Sequence, residues 1–252
     1  MEERTNITGE RFFDELSDLL THLHNEQRDN IRAAAQIVAD TIQKDGVVHV
    51  FGSGHSYGFG VEMIGRPGAL VPVHNICHAD MVIYGKTSLE EYRDPNNHFE
   101  RRSGLADDLF SLYGVNPEDC FIIISNSGIN GLVIDMAAKA KAENHPVIVV
   151  TSLQHTLAEP SRHPSGKKLY EYGDVVIDNC GPRGDALLET DGPEKVCSVS
   201  SITGAFIAHG IAADTIEILE NRGMTPPVLL GNDTPEHIAH DQALKDHYRG
   251  RI

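Results

Sequence analysis

Short unbroken runs of apolar, mostly β-branched residues punctuate this chain, and a turn and a helical stretch generally follow each one. Val47–Phe51, Cys120–Ser125 (CFIIIS), Val147–Thr151 (VIVVT) and Val175–Asp178 are the clearest. A strand with one wet face alternates apolar and polar residues, whereas a continuous apolar run is buried on both faces. Such runs alternating with helices restrict the chain to an α/β class, a doubly wound and mostly parallel sheet between two helical layers. Leu70–Val73 is a weaker run. It holds Pro72, which cannot donate to a ladder, so it is predicted as an edge strand.

Between the runs the apolar period changes to that of a helix. From Thr8 to Lys44, Phe12, Phe13, Leu16, Leu19, Leu20, Leu23, Ile31, Ala34, Ala35, Val38 and Ile42 recur at spacings of three and four. Thr8 is the expected N-cap and Asp45-Gly46 the stop, with one helix or two equally compatible with the polar stretch Asn25–Asn30. Further helices are predicted after Gly58 to about Ile64, over Asn130–Glu143 and over Val196–Asn221, where Gly223 ends the pattern. Long irregular stretches at 75–118, 155–173 and 223–237 read as site walls or lids. The expected organisation is an N-terminal helical segment, 1–45, and a core domain, 46–222, carrying the 75–118 insertion. A tail, 223–252, packs on the core or on a neighbouring subunit.

Charge narrows the partners. The 252 residues include 21 Lys and Arg against 37 Asp and Glu, a formal charge of −16. Nucleic acids and anionic membranes need a basic footprint, so neither is expected. A small anion remains accessible, because a few backbone N–H groups hold one locally. The four cysteines are dispersed with no C-x-x-C pair, as suits buried thiols in a reducing compartment. The opening MEERTNITGERFFDEL is charged and lacks the apolar stretch of a signal peptide, and no run approaches the ~18 apolar residues of a membrane span. The expected localisation is cytoplasmic.

Ligands of doubly wound sheets bind at the carboxyl ends of the strands, so the turns there carry the chemistry. After the first strand Gly52, Gly54 and Gly58 resemble a dinucleotide fingerprint, but the second strand ends Val73-His74-Asn75, without the acid that binds a ribose. Gly166-Lys167 lacks the earlier glycine of a Walker loop. The turn after CFIIIS differs in kind: Ser125, Asn126, Ser127, Gly128, Ile129 and Asn130 place small donors at a helix start, where free amides and the helix dipole favour an anion. Ser53, His55 and Ser56 repeat this in the first turn, and Thr151 and Ser152 close the third strand. Three hydroxyl-lined turns on one edge predict a monophosphate site.

These residues carry a family resemblance. VFGSGHSYGFG at 50–60, IIISNSGINGLVIDMAAKAK at 122–141 and VIVVTS at 147–152 resemble the SIS (sugar isomerase) domain, over roughly residues 35–220. Within it the chain is similar to the single-domain branch of phosphoheptose isomerase and N-acetylmuramic acid 6-phosphate etherase. The resemblance implies a flavodoxin-like three-layer fold and a homodimer or homotetramer. It also implies a sugar phosphate held by Ser56, Ser125, Ser127 and Asn130, with Asn126 beside them. Gly192-Pro193-Glu194 is similar to an etherase stretch, and the serine turn Ser198–Ser201, with Ser200 and Ser201, would close the site.

Isomerising an aldose to a ketose takes a proton from carbon next to a carbonyl, which needs a base and an electrophile. Glu62 on the first glycine-loop helix and His209 in the long helix are candidates. Glu100 in the insertion resembles the second carboxylate of the etherases, and the base is either Glu62 or Glu100. The resemblance places Glu62, Ser201 and His209 where phosphoheptose isomerases bind zinc. Arg66 stands in place of that enzyme's catalytic Glu and Ser201 in place of its Gln, so no metal or other cofactor is expected. Lys167, in the one basic cluster at 162–167, is a candidate gate. The expected function is a sugar-phosphate isomerase; an amino-sugar-phosphate etherase or lyase and a non-catalytic phosphosugar sensor are the alternatives.

Overall fold

The apolar runs become the strands of one sheet. The computed structural model describes residues 7–96 and 98–252, so the opening residues 1–6 lie outside it. Strands β1 (Val48–Gly52), β2 (Val73–Ile76), β3 (Cys120–Ile124), β4 (Val147–Thr151) and β5 (Val175–Asp178) are all parallel, in the order β2-β1-β3-β4-β5. The order reverses between β1 and β3, which opens a crevice at the carboxyl edge.

Alternation along each strand sorts side chains into two cores. Val48, Val50, Ile122, Ile124, Ile148 and Val150 face one layer, made of α1 (Gly9–Gln43), α2 (Tyr57–Met63) and α8 (Ser200–Asn221). Phe51, Phe121, Ile123, Val147 and Val149 face the other, which contains α6 (Gly131–Ala142) and the insertion. The insertion is built of short helical segments, α3 (Asp80–Ile83), α4 (Leu89–Arg93), a single turn at Phe99–Arg101 and α5 (Ala106–Phe110). A further short helix, α7 (Leu153–Ala158), follows β4.

The N-terminal pattern forms one unbroken 35-residue helix, capped by the Thr8 hydroxyl on the Arg11 amide. Its polar middle is consistent with that continuity. Asn30 donates to Gln27 at 2.9 Å, and the same Gln27 oxygen accepts the Asp178 amide at 3.1 Å, tying α1 to β5. Helix α8 is apolar because it packs against α1 and α2, burying Thr203, Ile207, Ala208, Ile211, Thr215, Ile218 and Leu219. Against the sequence expectation, its length and composition by themselves match a membrane span.

Two predicted elements shift. The edge strand starts at Val73, not Leu70, because 68–71 pairs with the tail instead: the Val71 amide donates to Pro227, the Leu229 amide to Ala69, and Leu70 bridges Val228. Residues 195–198 are not helical. They form β7 (Lys195–Ser198), antiparallel to β6 (Ala186–Glu189), and the helix begins only at Ser200, where Asp185 accepts the Val199 and Ser200 amides. The tail folds as α9 (Pro235–His247), and Val47, Val71, Leu229 and Tyr248 close a small third core.

A buried polar chain crosses the β2 edge. His49 and Asp119, both fully buried, pair at 3.1 Å, and His49 Nδ1 meets His74 Nδ1 at 3.1 Å. Burial opposes the charge of Asp119, but His49 and the Asn116 and Val47 amides together hold its carboxyl below the usual value. Arg251 of the tail also binds it, at 2.6 Å. His74 packs against the Tyr113 ring, and burial with the neighbouring His49 lowers its pKa to about 4.

A lowered imidazole pKa favours the native state only while the ring is neutral. Stability at this site is full above the unfolded value near 6.5 and falls as pH drops toward 4, by an expected ~2–3 kcal/mol. Urea unfolding from pH 7 to pH 4 should show this loss, and His74→Gln should reduce it; an equal acid loss in the variant would refute the assignment. The start of α6 tests the insertion: a Cβ on Gly131 would lie 2.6 Å from the Arg101 and Arg102 carbonyls. Gly131→Ala should cost about 1–3 kcal/mol and increase proteolysis of the insertion.

Candidate functional site

Because the strands share direction and register, the turns after them meet at one edge. The first turn leaves β1 at Gly52, where a Cβ would sit 2.6 Å from the Ser56 carbonyl, so only glycine allows the tight entry into α2. The second turn, Ser125–Asn130, is held from inside. Buried Ser125 accepts the Gly128 amide at 3.1 Å, and Asn126 accepts from Asn179 at 2.8 Å. The Ser127 carbonyl accepts the Thr156 hydroxyl at 2.8 Å. Gly128 has φ +62°, and a Cβ there would lie 2.8 Å from both the Thr151 and Thr156 hydroxyls. Position 128 is therefore closed to other residues on two grounds, backbone strain and space.

The hydroxyls divide into two groups. Thr151 and Ser152 are fully buried and internally bonded, Thr151 to Thr156 and Ser152 to the Gly181 carbonyl at 2.7 Å. They hold the loops in shape. Half-buried Ser53, Ser56 and Ser127 and exposed Ser201 keep their hydroxyls unbonded among the described residues. His55, Ser56, Asn179, Ser200 and Ser201 line a cleft with Phe59 and Gly204 against the ends of β3 and β4. Its enclosed space, about 20 Å³, takes one small group rather than a sugar.

Two helix starts face this edge, and they differ electrically. At α8, Asp185 accepts the Val199 and Ser200 amides and the Ser200 hydroxyl, so a carboxylate already occupies the positive end. At α6, Asn130 stands at the cap position, but its side chain makes no capping bond; it accepts from Arg162 at 2.7 Å instead. The first-turn amides of α6 thus lack a side-chain cap, which is where a helix accepts an anion. His163 and the Gly104 amide both bind Asp135 of α6, at 2.7 and 2.6 Å, fastening the basic loop and the insertion to that helix.

Glu62 and His209 do come together, 3.5 Å apart across the contact of α2 with α8. Arg66 joins them, 2.5 Å from Glu62. They line a separate cavity of about 200 Å³ with Pro67, Leu70 and Ala212. His209 lies eight residues beyond Ser201, roughly 12 Å along the helix axis, but the cavity and the cleft adjoin within about one turn, at Ala208 and Gly204 of α8 and at Glu62 and Phe59 of α2. Glu100 is elsewhere: its carboxylate sits 3.9 Å from where a Cβ of Gly54 would be, against the first turn. Lys167 lies 5.2 Å over the Tyr172 ring, and Arg162, not Lys167, is the cation that reaches the Ser125–Asn130 turn. Among the described residues no three His, Cys, Asp or Glu side chains cluster as a metal site.

Sequence reasoning missed Asn179, Arg162, Asp185 and Thr156. Asn179 had a legible signal: it follows the last residue of β5, at the sheet edge where Ser125 follows β3. Asp185 had none, because its role depends on the hairpin returning the chain to α8.

The SIS domain profile matches residues 11–152. A UPF0309 protein of Listeria monocytogenes is 36% identical over 235 residues, 93% of each chain, and one of Geobacillus sp. is 33% identical over 244 residues, 96% of each. Among solved structures, a phosphoheptose isomerase from Francisella tularensis superposes with a TM-score of 0.54 at 15% identity, covering 82% of this chain and 96% of that one. The phosphoheptose isomerase from Neisseria gonorrhoeae gives 0.52 at 15% identity, covering 82% and 95%. At such identities the structures share the fold. With more than half its length matched, the chain belongs to the SIS domain family.

Proposed function

We propose that this protein binds a sugar monophosphate at the carboxyl edge of its sheet and interconverts aldose and ketose forms. One observation carries the phosphate assignment: the α6 start keeps its amides free of any side-chain cap, while Asp185 fills the equivalent place on α8. The dianion sits on those amides and on the Ser127 hydroxyl, and Ser56 and Ser201 line the cleft at the same sheet edge. Hydrogen bonds to a charged group contribute about 1.5–3 kcal/mol each. Arg162 adds positive potential through Asn130 without entering the cleft. Phosphate sugars are what the names of the structural neighbours from Neisseria and Francisella indicate for those proteins, which agrees with this reading.

The sugar extends out of the narrow cleft, and Glu100 acts as the base. Its carboxylate stands against the first turn, whereas Glu62 is paired with Arg66 and lines the neighbouring cavity. Glu100 takes the proton from the carbon beside the carbonyl, giving an enediolate, and returns it to the neighbouring carbon, while the hydroxyl proton passes from one oxygen to the other through solvent. Glu62 and His209 line the outer cavity, where the far end of a longer sugar lies. The protein acts in the cytoplasm as a homodimer or homotetramer. Exposed Ile202 and Phe206 beside Ser201 and His209 give the self-association a surface next to the site.

A ligand that binds only the folded state raises the melting temperature. Inorganic phosphate and a panel of sugar monophosphates should do so, and Ser127→Ala should weaken each by roughly tenfold or more. Glu100→Gln should leave binding within about threefold yet slow solvent-deuterium incorporation into the bound sugar at least ~100-fold. No exchange with any binder would leave the sensor reading in place of the isomerase. Release of an ether substituent with exchange would indicate the etherase reaction.

A further inference from the structure

Arg162 places its guanidinium against an uncharged group in a chain whose formal charge is −16. Its Nη1 donates to Asn130 Oδ1 at 2.7 Å, and among the described residues no carboxylate pairs with it. Glu159, three residues back, is taken by Arg183 at 2.5 Å. The loop that carries Arg162 is framed without that guanidinium. The Arg162 amide donates to the Ile129 carbonyl at 2.9 Å and the Leu169 amide to the Gly128 carbonyl at 2.9 Å, so both ends of the loop hang on the Ser125–Asn130 turn. Ser161 closes the loop on the Lys167 carbonyl at 2.6 Å. His163 fastens it to α6: Nδ1 accepts the Ser165 amide at 3.1 Å, which leaves the hydrogen on Nε2 to donate to Asp135 at 2.7 Å.

Asn130 has the backbone of a helix cap, φ −80° and ψ 147°, from which an Asn oxygen accepts the amide two or three residues on. The Ile134 amide already bonds the Asn130 carbonyl, at 3.3 Å. The amides of Gly131, Leu132 and Val133 come before it, and Asn is among the residues that best cap such amides. Asn130 does not cap them. Its side chain has one oxygen, which Arg162 holds, and its nitrogen can only donate. The direction of this amide matters to an anion. A capping oxygen would set a partial negative charge over the amides that a dianion needs. Held by Arg162, the side chain leaves those amides open.

We propose that Arg162 is a positioning residue: by holding the Asn130 oxygen it keeps the start of α6 uncapped and so available to an anion. Without the guanidinium, Asn130 turns into the cap and competes with the dianion for the same amides. This effect is distinct from the positive potential that Arg162 also supplies. It rests on reading the α6 start as the phosphate site, but its first test needs no ligand.

The first arm is amide hydrogen exchange on the full chain without ligand. In Arg162→Ala the Leu132 and Val133 amides should exchange about fivefold more slowly, the factor to which an Asn cap typically corresponds. Arg162→Ala combined with Asn130→Ala should lose that protection. Unchanged or faster exchange in Arg162→Ala overturns the proposal. The second arm measures inorganic phosphate binding in about 0.5 M sodium chloride, so that the charge of exposed Arg162 is screened. Arg162→Ala should weaken binding about fivefold in the parent and less than about twofold in the Asn130→Ala background, which has no capping oxygen. Equal losses in the two backgrounds would mean that Arg162 acts through its charge, and would overturn the proposal. A parent that fails to bind phosphate brings down the site reading, while the exchange arm still decides whether Arg162 keeps Asn130 out of the cap.

Discussion

Five strands running the same way in matched register impose the constraint on which the site depends. Gly52 lies opposite Ile124, Ile124 opposite Val150, and Thr151 opposite Asp178, so the turns that follow emerge side by side. At these strand ends short side chains from neighbouring turns bond across to one another and to the backbone. Asn126 meets Asn179, Thr151 meets Thr156, and Ser152 meets the Gly181 carbonyl. Such cross-bracing fixes the loop edge that the proposed function uses as a preorganised anion site.

In the proposed function an acidic chain binding a dianion is no contradiction. The formal charge of −16 is spread over the whole chain, while the anion site works over a few ångströms. Asp185 illustrates how local this is: one carboxylate neutralises the start of α8, and the start of α6 is left open. In the proposed function the anion goes to α6, the helix that also anchors the basic loop and the insertion through Asp135.

The resemblance to phosphoheptose isomerases held at the level of fold, with TM-scores of 0.52 and 0.54. Glu62, Arg66 and His209 form an ion-paired group lining its own cavity. Glu100 comes from the insertion. In the reading proposed above, a shared phosphate platform thus carries its chemistry from another segment, as SIS-like scaffolds with variable loops allow.

The sequence by itself determined the layers, the parallel sheet and the Ser125–Asn130 turn. These follow from local properties: β-branched runs, helical periodicity, and small donors with glycine where φ is positive. It also placed the Thr8 cap and the end of β5 correctly. It misplaced β2 and the start of α8, because residues 68–71 and 195–198 take their partners from the tail and from a hairpin distant in sequence. Only the tertiary structure decided which hydroxyls are free, that Arg162 rather than Lys167 reaches the loop, and that Glu100 and Glu62 stand at different places. Whether a polar side chain is a ligand or a brace depends on what the fold brings within about 3 Å of it, and hydrogen bonds at that range join residues that periodicity and composition cannot connect.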